Sequence, residues 1–136
     1  MSYGVSAALQ GAVYQALAAD AALAALVGSQ VFDAAPAGEV PDLYVALGPE
    51  DVTAEADSSG TVTTHRLVIS VVGRVAGFGA LKAAAAAVSD RLDGAGLGLA
   101  RGHLLSMDFQ KARARRSNAN QERRIDMWFR AIVEDS

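Results

Sequence analysis

The stretch ADAALAALVGSQVFDAAPAGEVPDLYVALG, residues 19–48, decides how the rest of this chain is read. Asp20 stands where an N-cap would open a short helical turn over residues 21–27, with Leu23, Leu26 and Val27 facing inward. Gly28 is placed to stop that turn, because glycine adopts the left-handed conformation of a helix C-terminus at little cost. Val31-Phe32 reads as a short extended piece. Pro36 and Pro41 bound a loop, since proline removes a donor and disfavours helix just before it. Residues 43–47, Leu-Tyr-Val-Ala-Leu, read as a strand that Gly48-Pro49 should stop. The stretch holds no acid–base pair, no metal-ligand spacing and no phosphate loop. It routes a helix into a sheet.

Working outward, residues 2–19 carry Val5, Leu9, Val13 and Leu17 at intervals of four, with Ala8, Ala12 and Ala16 alongside. That is a narrow apolar stripe of helical period. It leaves open whether residues 2–27 form two helices or one bent helix. Residues 50–60 are acidic and rich in turn formers, so a loop or hairpin tip is expected there. Residues 61–75 are the clearest strand. Leu67, Ile69, Val71 and Val75 share one face, while Arg66, Val68, Ser70, Val72 and Arg74 share the other. Both faces are partly apolar, so both should be covered somewhere along the strand.

A second helix is predicted over residues 78–93, with Leu81, Ala85, Val88 and Leu92 on one stripe. Residues 103–109 read as a strand. A polar, basic stretch over 110–123 separates it from a last strand at about 124–134. There Ile125, Met127, Phe129, Ala131 and Val133 alternate with Asp126, Trp128, Arg130, Ile132 and Glu134, the pattern of a sheet with one face on the core. The order α(α)–β–β–β–α–β–β predicts an α+β fold: a mixed, mostly antiparallel sheet with helices packed on one face. Nothing divides the chain, so residues 1–136 are expected to be one domain.

Composition narrows the function classes. The chain has no cysteine, which removes disulfides, thiolate chemistry and thiolate-bound zinc. No apolar run reaches the roughly 18–20 residues that span a bilayer, and the start, MSYGVSAALQ, lacks a basic n-region. The chain is therefore expected to be made and kept in a cytoplasm, with no membrane partner. Its net charge of −3 is unevenly spread: residues 1–100 hold ten acids and four bases, residues 101–136 five acids and eight bases. Such asymmetry informs about association, not about fold.

The candidate chemistry is thin. Gly94, Gly96 and Gly98 have the spacing of a dinucleotide loop, but they follow a helix and precede a strand, the reverse of what that loop needs. His65 and His103 are far apart in sequence, with no metal-binding spacing, and both are expected on strand surfaces. The acidic residues Glu50, Asp51, Glu55 and Asp57 lack the alternation of a calcium loop. The basic residues Lys111, Arg113, Arg115, Arg116, Arg123 and Arg124 leave three readings open: a solvated hairpin tip, a contact with an acidic protein neighbour, or contact with DNA phosphates. Trp128 is either an interface anchor or part of a second small core under a helix. No cofactor, metal site or catalytic residue is expected.

With these pieces in place the chain resembles the phage tail-completion or tail-terminator family, which includes the version in phage-like gene transfer agents. The matching pieces are Leu17, Asp20-Ala21-Ala22-Leu23, Leu26-Val27-Gly28, Val31-Phe32-Asp33 and Pro41 with Tyr44-Val45-Ala46-Leu47-Gly48. Thr64-His65-Arg66-Leu67 and Ile69-Ser70-Val71-Val72 match the central strand, and the later helix and Arg-rich hairpin also fit. The resemblance implies a structural virion protein and no enzyme. Such proteins form a homo-oligomeric ring, usually a hexamer, on the head-proximal end of the tail tube. The ring stops tube growth, meets the head–tail connector, and lets DNA through its lumen without sequence-specific binding. The expected location is the tail of a virion or phage-like particle assembled in the bacterial cytoplasm. Residues 50–60 and 111–124 are the expected contact arms. The alternatives are a head–tail connector or stopper of the same particle, and a small ligand-binding or enzymatic domain. The last requires a polar pocket enclosing His65 or His103 with a carboxylate.

Overall fold

A computed structural model of the chain describes residues 3–55, 61–116 and 122–135. The decisive stretch folds through its caps. Helix α1 (Ser6–Ala18) ends just before Asp20, whose carboxylate accepts a hydrogen bond from the Leu23 N–H at 2.9 Å and opens α2 (Ala21–Val27). The two are separate helices, bent by 72° at the break. Gly28, at φ 61°, turns the chain out of α2. Leu23 and Val27 are buried, but Leu26, expected inward, is 42% exposed. A seven-residue helix presents one narrow stripe, and the i, i+4 pair occupies it.

Among the described residues the sheet has five strands, in the order β1-β2-β3-β5-β4. β1 (Val31–Phe32) lies parallel to β2 (Leu43–Ala54), opposite Val45 and Ala46. β2, β3 (Val62–Gly73), β5 (Arg123–Glu134) and β4 (His103–Arg116) pair antiparallel. Between β3 and β4 comes α3 (Gly79–Leu92). The element order and the mixed sheet with one helical layer agree with the sequence expectation.

Two strands run further than their sequences predict. Gly48-Pro49 does not end β2. The register shifts between Leu47 and Glu50, and pairing with β3 resumes from Glu50↔Leu67 to Ala54↔Thr63. β1 covers only two residues of β2, so Pro49 sits where its missing N–H deprives no neighbouring strand, and a bulge absorbs it. Residues 50–54, expected as loop, are thus strand. Likewise β4 continues past Phe109 through a second irregularity, between Phe109 and Lys111, to Arg116. An edge strand tolerates a row of exposed charges that would be expensive inside a sheet.

The helices cover one sheet face. Leu9, Val13, Leu17, Leu23, Leu81 and Val88 pack against Ile69, Val71, Met127 and Phe129. Fully burying a side chain such as Phe129 contributes about 1.5–3 kcal/mol. On the other face Tyr44, Ala46 and Val72 form a small second cluster with Phe32 and Val40. Both faces of β3 are therefore used, as its sequence requires. Trp128 also lies on this helix-free face, half-buried under Lys111, whose Nζ sits 4.5 Å from the ring centroid. No helix covers it. Among the described residues no single helix is long and apolar enough to cross a membrane.

Candidate interaction arms

Strand register places the two charged regions in opposite halves of the sheet, measured along the strands. Arg116 is level with Arg123, Gly73 and Leu43. His103 is level with Glu134 and Val62, beside the far end of β2. Lys111 and Glu50 are nearly level, through Trp128 and Phe129, and from there the two regions run apart until Arg116 and Ala54 lie roughly 33 Å from each other along the strands, at about 3.3 Å per residue.

At the acidic end the four sequence candidates behave differently. Asp51 is exposed on the helix-free face, opposite Arg66. Glu55 accepts a hydrogen bond from Thr64 Oγ1. Asp57 lies outside the described residues. Glu50 turns toward the helices and is only 17% exposed. It accepts a hydrogen bond from Ser6 Oγ at 2.6 Å and lies 3.1 Å from His65 Nδ1.

His65 is therefore not a surface residue. It is 0% exposed, and its Nε2 is 2.8 Å from Thr63 Oγ1. Strand alternation explains the error: His65 shares a face with Leu67 and Ile69, and that face is the core. Thr63, His65 and Glu50 form a hydroxyl–imidazole–carboxylate relay of the kind that activates a nucleophile in hydrolases. Here Thr63 is 3% exposed and His65 fully enclosed, so no substrate atom reaches the hydroxyl. The relay ties the start of α1 to β2 and β3. His103 is exposed. Among the described residues no group of three or more His, Asp or Glu side chains is placed to hold a metal ion.

At the basic end the residues again divide. Arg113 and Arg116 are exposed, and Lys111 rests on Trp128. Arg115 is 3.5 Å from Asp126. Arg123 donates to the Val75 carbonyl at 2.8 Å and lies over Phe78. Arg124 donates to Asp126 at 3.1 Å and to Ser70 Oγ at 3.2 Å. Arg123 and Arg124, opposite Arg116 and Arg115, thus brace the far end of the arm from within, while Lys111, Arg113, Arg115 and Arg116 form its surface.

Asp126 is the hub that the sequence did not single out. Ser70 Oγ donates to it at 2.6 Å, and Arg124 and Arg115 flank it. Burial alone would raise its pKa; the hydrogen bonds from Ser70 and Arg124 and the two guanidinium charges outweigh burial and hold it below the usual carboxylate value. The signal was present: Asp126 is on the polar side of β5, two residues from Arg124.

Residues 11–134 match the family described as "Tail completion protein gp17". A solved chain from the "Virion of native gene transfer agent (GTA) particle" is 56% identical; the match covers 98% of this chain and 99% of that chain, with a TM-score of 0.90. No curated protein sequence matches. The chain belongs to the tail-completion protein family, a family of structural proteins and not of enzymes.

Proposed function

We propose that this member of the tail-completion family is a virion structural protein that forms a hexameric ring on the head-proximal end of the tail tube of a phage-like particle. The ring ends tube growth and joins the tail to the head–tail connector, and DNA passes through its lumen. The observation that carries this reading is the match, over nearly the whole of both chains and at 56% identity, to a chain of a gene transfer agent virion.

The geometry suits the role. A tube grows because each ring offers the next one a matching face. A terminator must match the tube on one side and refuse a further tube ring on the other. A subunit with basic side chains in one half of its sheet and acidic ones in the other has two unlike ends. Asp51, Glu55, Lys111, Arg113, Arg115 and Arg116 are the contacting residues in this reading; Glu50, Arg123 and Arg124 hold the arms in shape. Asp57 is assigned to the acidic arm by sequence alone. Copies in head-to-tail contact around a rotation axis close into a ring without requiring a self-complementary patch.

Mixing the purified chain separately with tail tubes and with tail-less heads tests the assignment. A ring seated on tube ends, seen by electron microscopy, is the expected result. Rings on heads and none on tubes would mean a connector or stopper instead.

A further inference from the structure

The sheet has two open edges of unlike charge. β4 forms one outer edge, and that edge is closed as far as Phe109. The Gly94 N–H donates to the Met107 carbonyl at 2.7 Å, and the Phe109 N–H donates to Asp93 Oδ1 at 2.9 Å. Beyond the bulge, residues 111–116 pair with β5 on one side and with no strand on the other among the described residues. On the far side of the sheet, β1 covers β2 only at Val45 and Ala46. Among the described residues, 51–54 have β3 on one side and no strand on the other.

Such edges are templates for a further strand. The open part of β4 is basic and the open part of β2 acidic. Two β4 edges, or two β2 edges, would set like charges against each other; only β4 against β2 sets opposite charges together. The alternation of side chains agrees. Lys111, Arg113 and Arg115 project from the helix-free face, and so do Asp51 and Thr53. The residues between them on both strands are mostly small and apolar, and lie on the helix side.

We propose that residues 111–116 of one copy add as an antiparallel strand to residues 51–55 of the next. Arg115 then stands opposite Asp51, Arg113 opposite Thr53 and Lys111 opposite Glu55. The alternation of strand direction continues across the join, because β2 and β4 already run in opposite senses. The pairing stops short of β1. Within one copy Arg113 is level with Ala46, through Asp126 and Ser70. Joining it to Thr53, which is level with Thr64, six residues from Ser70, therefore steps each copy about 20 Å along the strands and about 19 Å across them. A flat ring accommodates both steps if the strands lean about 46° from the ring axis, close to the upper end of the tilt of closed barrels. This inference rests on the ring reading and specifies its interface as edge-to-edge strand pairing between copies.

The absence of cysteine makes the test clean. In particles assembled with a Thr53→Cys, Arg113→Cys double variant, mild oxidation should give a covalent ladder of subunits on a non-reducing gel. Each single variant should stay at monomer mass. Dimers from either single variant would mean like edges pair, and would overturn the proposal. A ring seen on the tail with no ladder would overturn the edge pairing while leaving the ring reading intact; unmodified particles with no ring would remove both. Should the double variant fail to assemble, amide exchange in the unmodified chain decides. Residues 111–116 and 51–54 should exchange at least about tenfold more slowly in the particle than in the free chain. Equal rates in the two states would overturn the proposal.

Discussion

His65 Nδ1 lies 3.1 Å from Glu50 Oε2, with the imidazole fully enclosed between β3 and the start of α1. This contact, together with the Ser6 hydroxyl on the other carboxylate oxygen, fastens the helical layer to the strand that carries the acidic arm. Replacing Glu50 by Ala leaves a buried imidazole nitrogen without its partner. The expected loss is about 1–3 kcal/mol in urea unfolding. Asp51→Ala, one residue on and exposed, should change stability by no more than about 0.5 kcal/mol. Equal effects of the two would mean the network contributes nothing.

Asp126 gives a pH signature. Its carboxyl titrates below the ordinary value in the folded chain. The associated stabilisation is therefore complete above the unfolded value of about 3.9 and is lost as pH falls through the folded value. Asp126→Asn should lower stability at neutral pH by about 1–2 kcal/mol, and the gap to the unsubstituted chain should shrink in acid below that unfolded value. A gap of constant size from neutral pH to about pH 3 would show that the charge on Asp126 is not what stabilises.

Two glycines with positive φ should respond differently to alanine. At Gly102, φ 80°, an added Cβ would meet the Glu134 carbonyl oxygen at 2.6 Å and Val5 Cγ1 at 2.9 Å. At Gly94, φ 70°, it would meet nothing within 4 Å. Gly94→Ala should therefore show only the backbone penalty, about 1 kcal/mol, and Gly102→Ala at least about 2 kcal/mol. Thermal unfolding of the pair checks the order; a reversal would contradict the packing at the end of β5.

Much of the fold was legible because its signals are local. Asp20 and Gly28 cap α2 through contacts within a turn, and the alternation along β5 states which side meets the core. Where reading failed, the deciding contact was distant. Gly48-Pro49 looks like a stop, and only the missing neighbour beyond β1 makes it a bulge. His65 is polar and so reads as a surface residue, but its parity with Leu67 and Ile69 puts it on the core side. Its partner Glu50 comes into reach only after the β2 bulge. Among the arm residues, sequence could not separate Arg123 and Arg124, which bond inward, from Arg113 and Arg116, which do not. That difference depends on Val75 and Ser70, contributed by other segments.

The arm itself can be disarmed without touching the fold. Arg113→Gln combined with Arg116→Gln removes two exposed guanidiniums without setting a carboxylate opposite Asp126, and should shift the unfolding free energy by no more than about 0.5 kcal/mol. The same variant should fail to enter tails when it is the only copy supplied. Normal incorporation, measured by mass spectrometry of purified particles, would move the interface elsewhere.

The most direct measurement is the length of tail tubes assembled with and without this protein, by electron microscopy. Termination predicts tubes of uniform length when it is present, and overlong tubes, unattached to heads, when it is absent. Tubes of normal, uniform length in its absence would contradict the account.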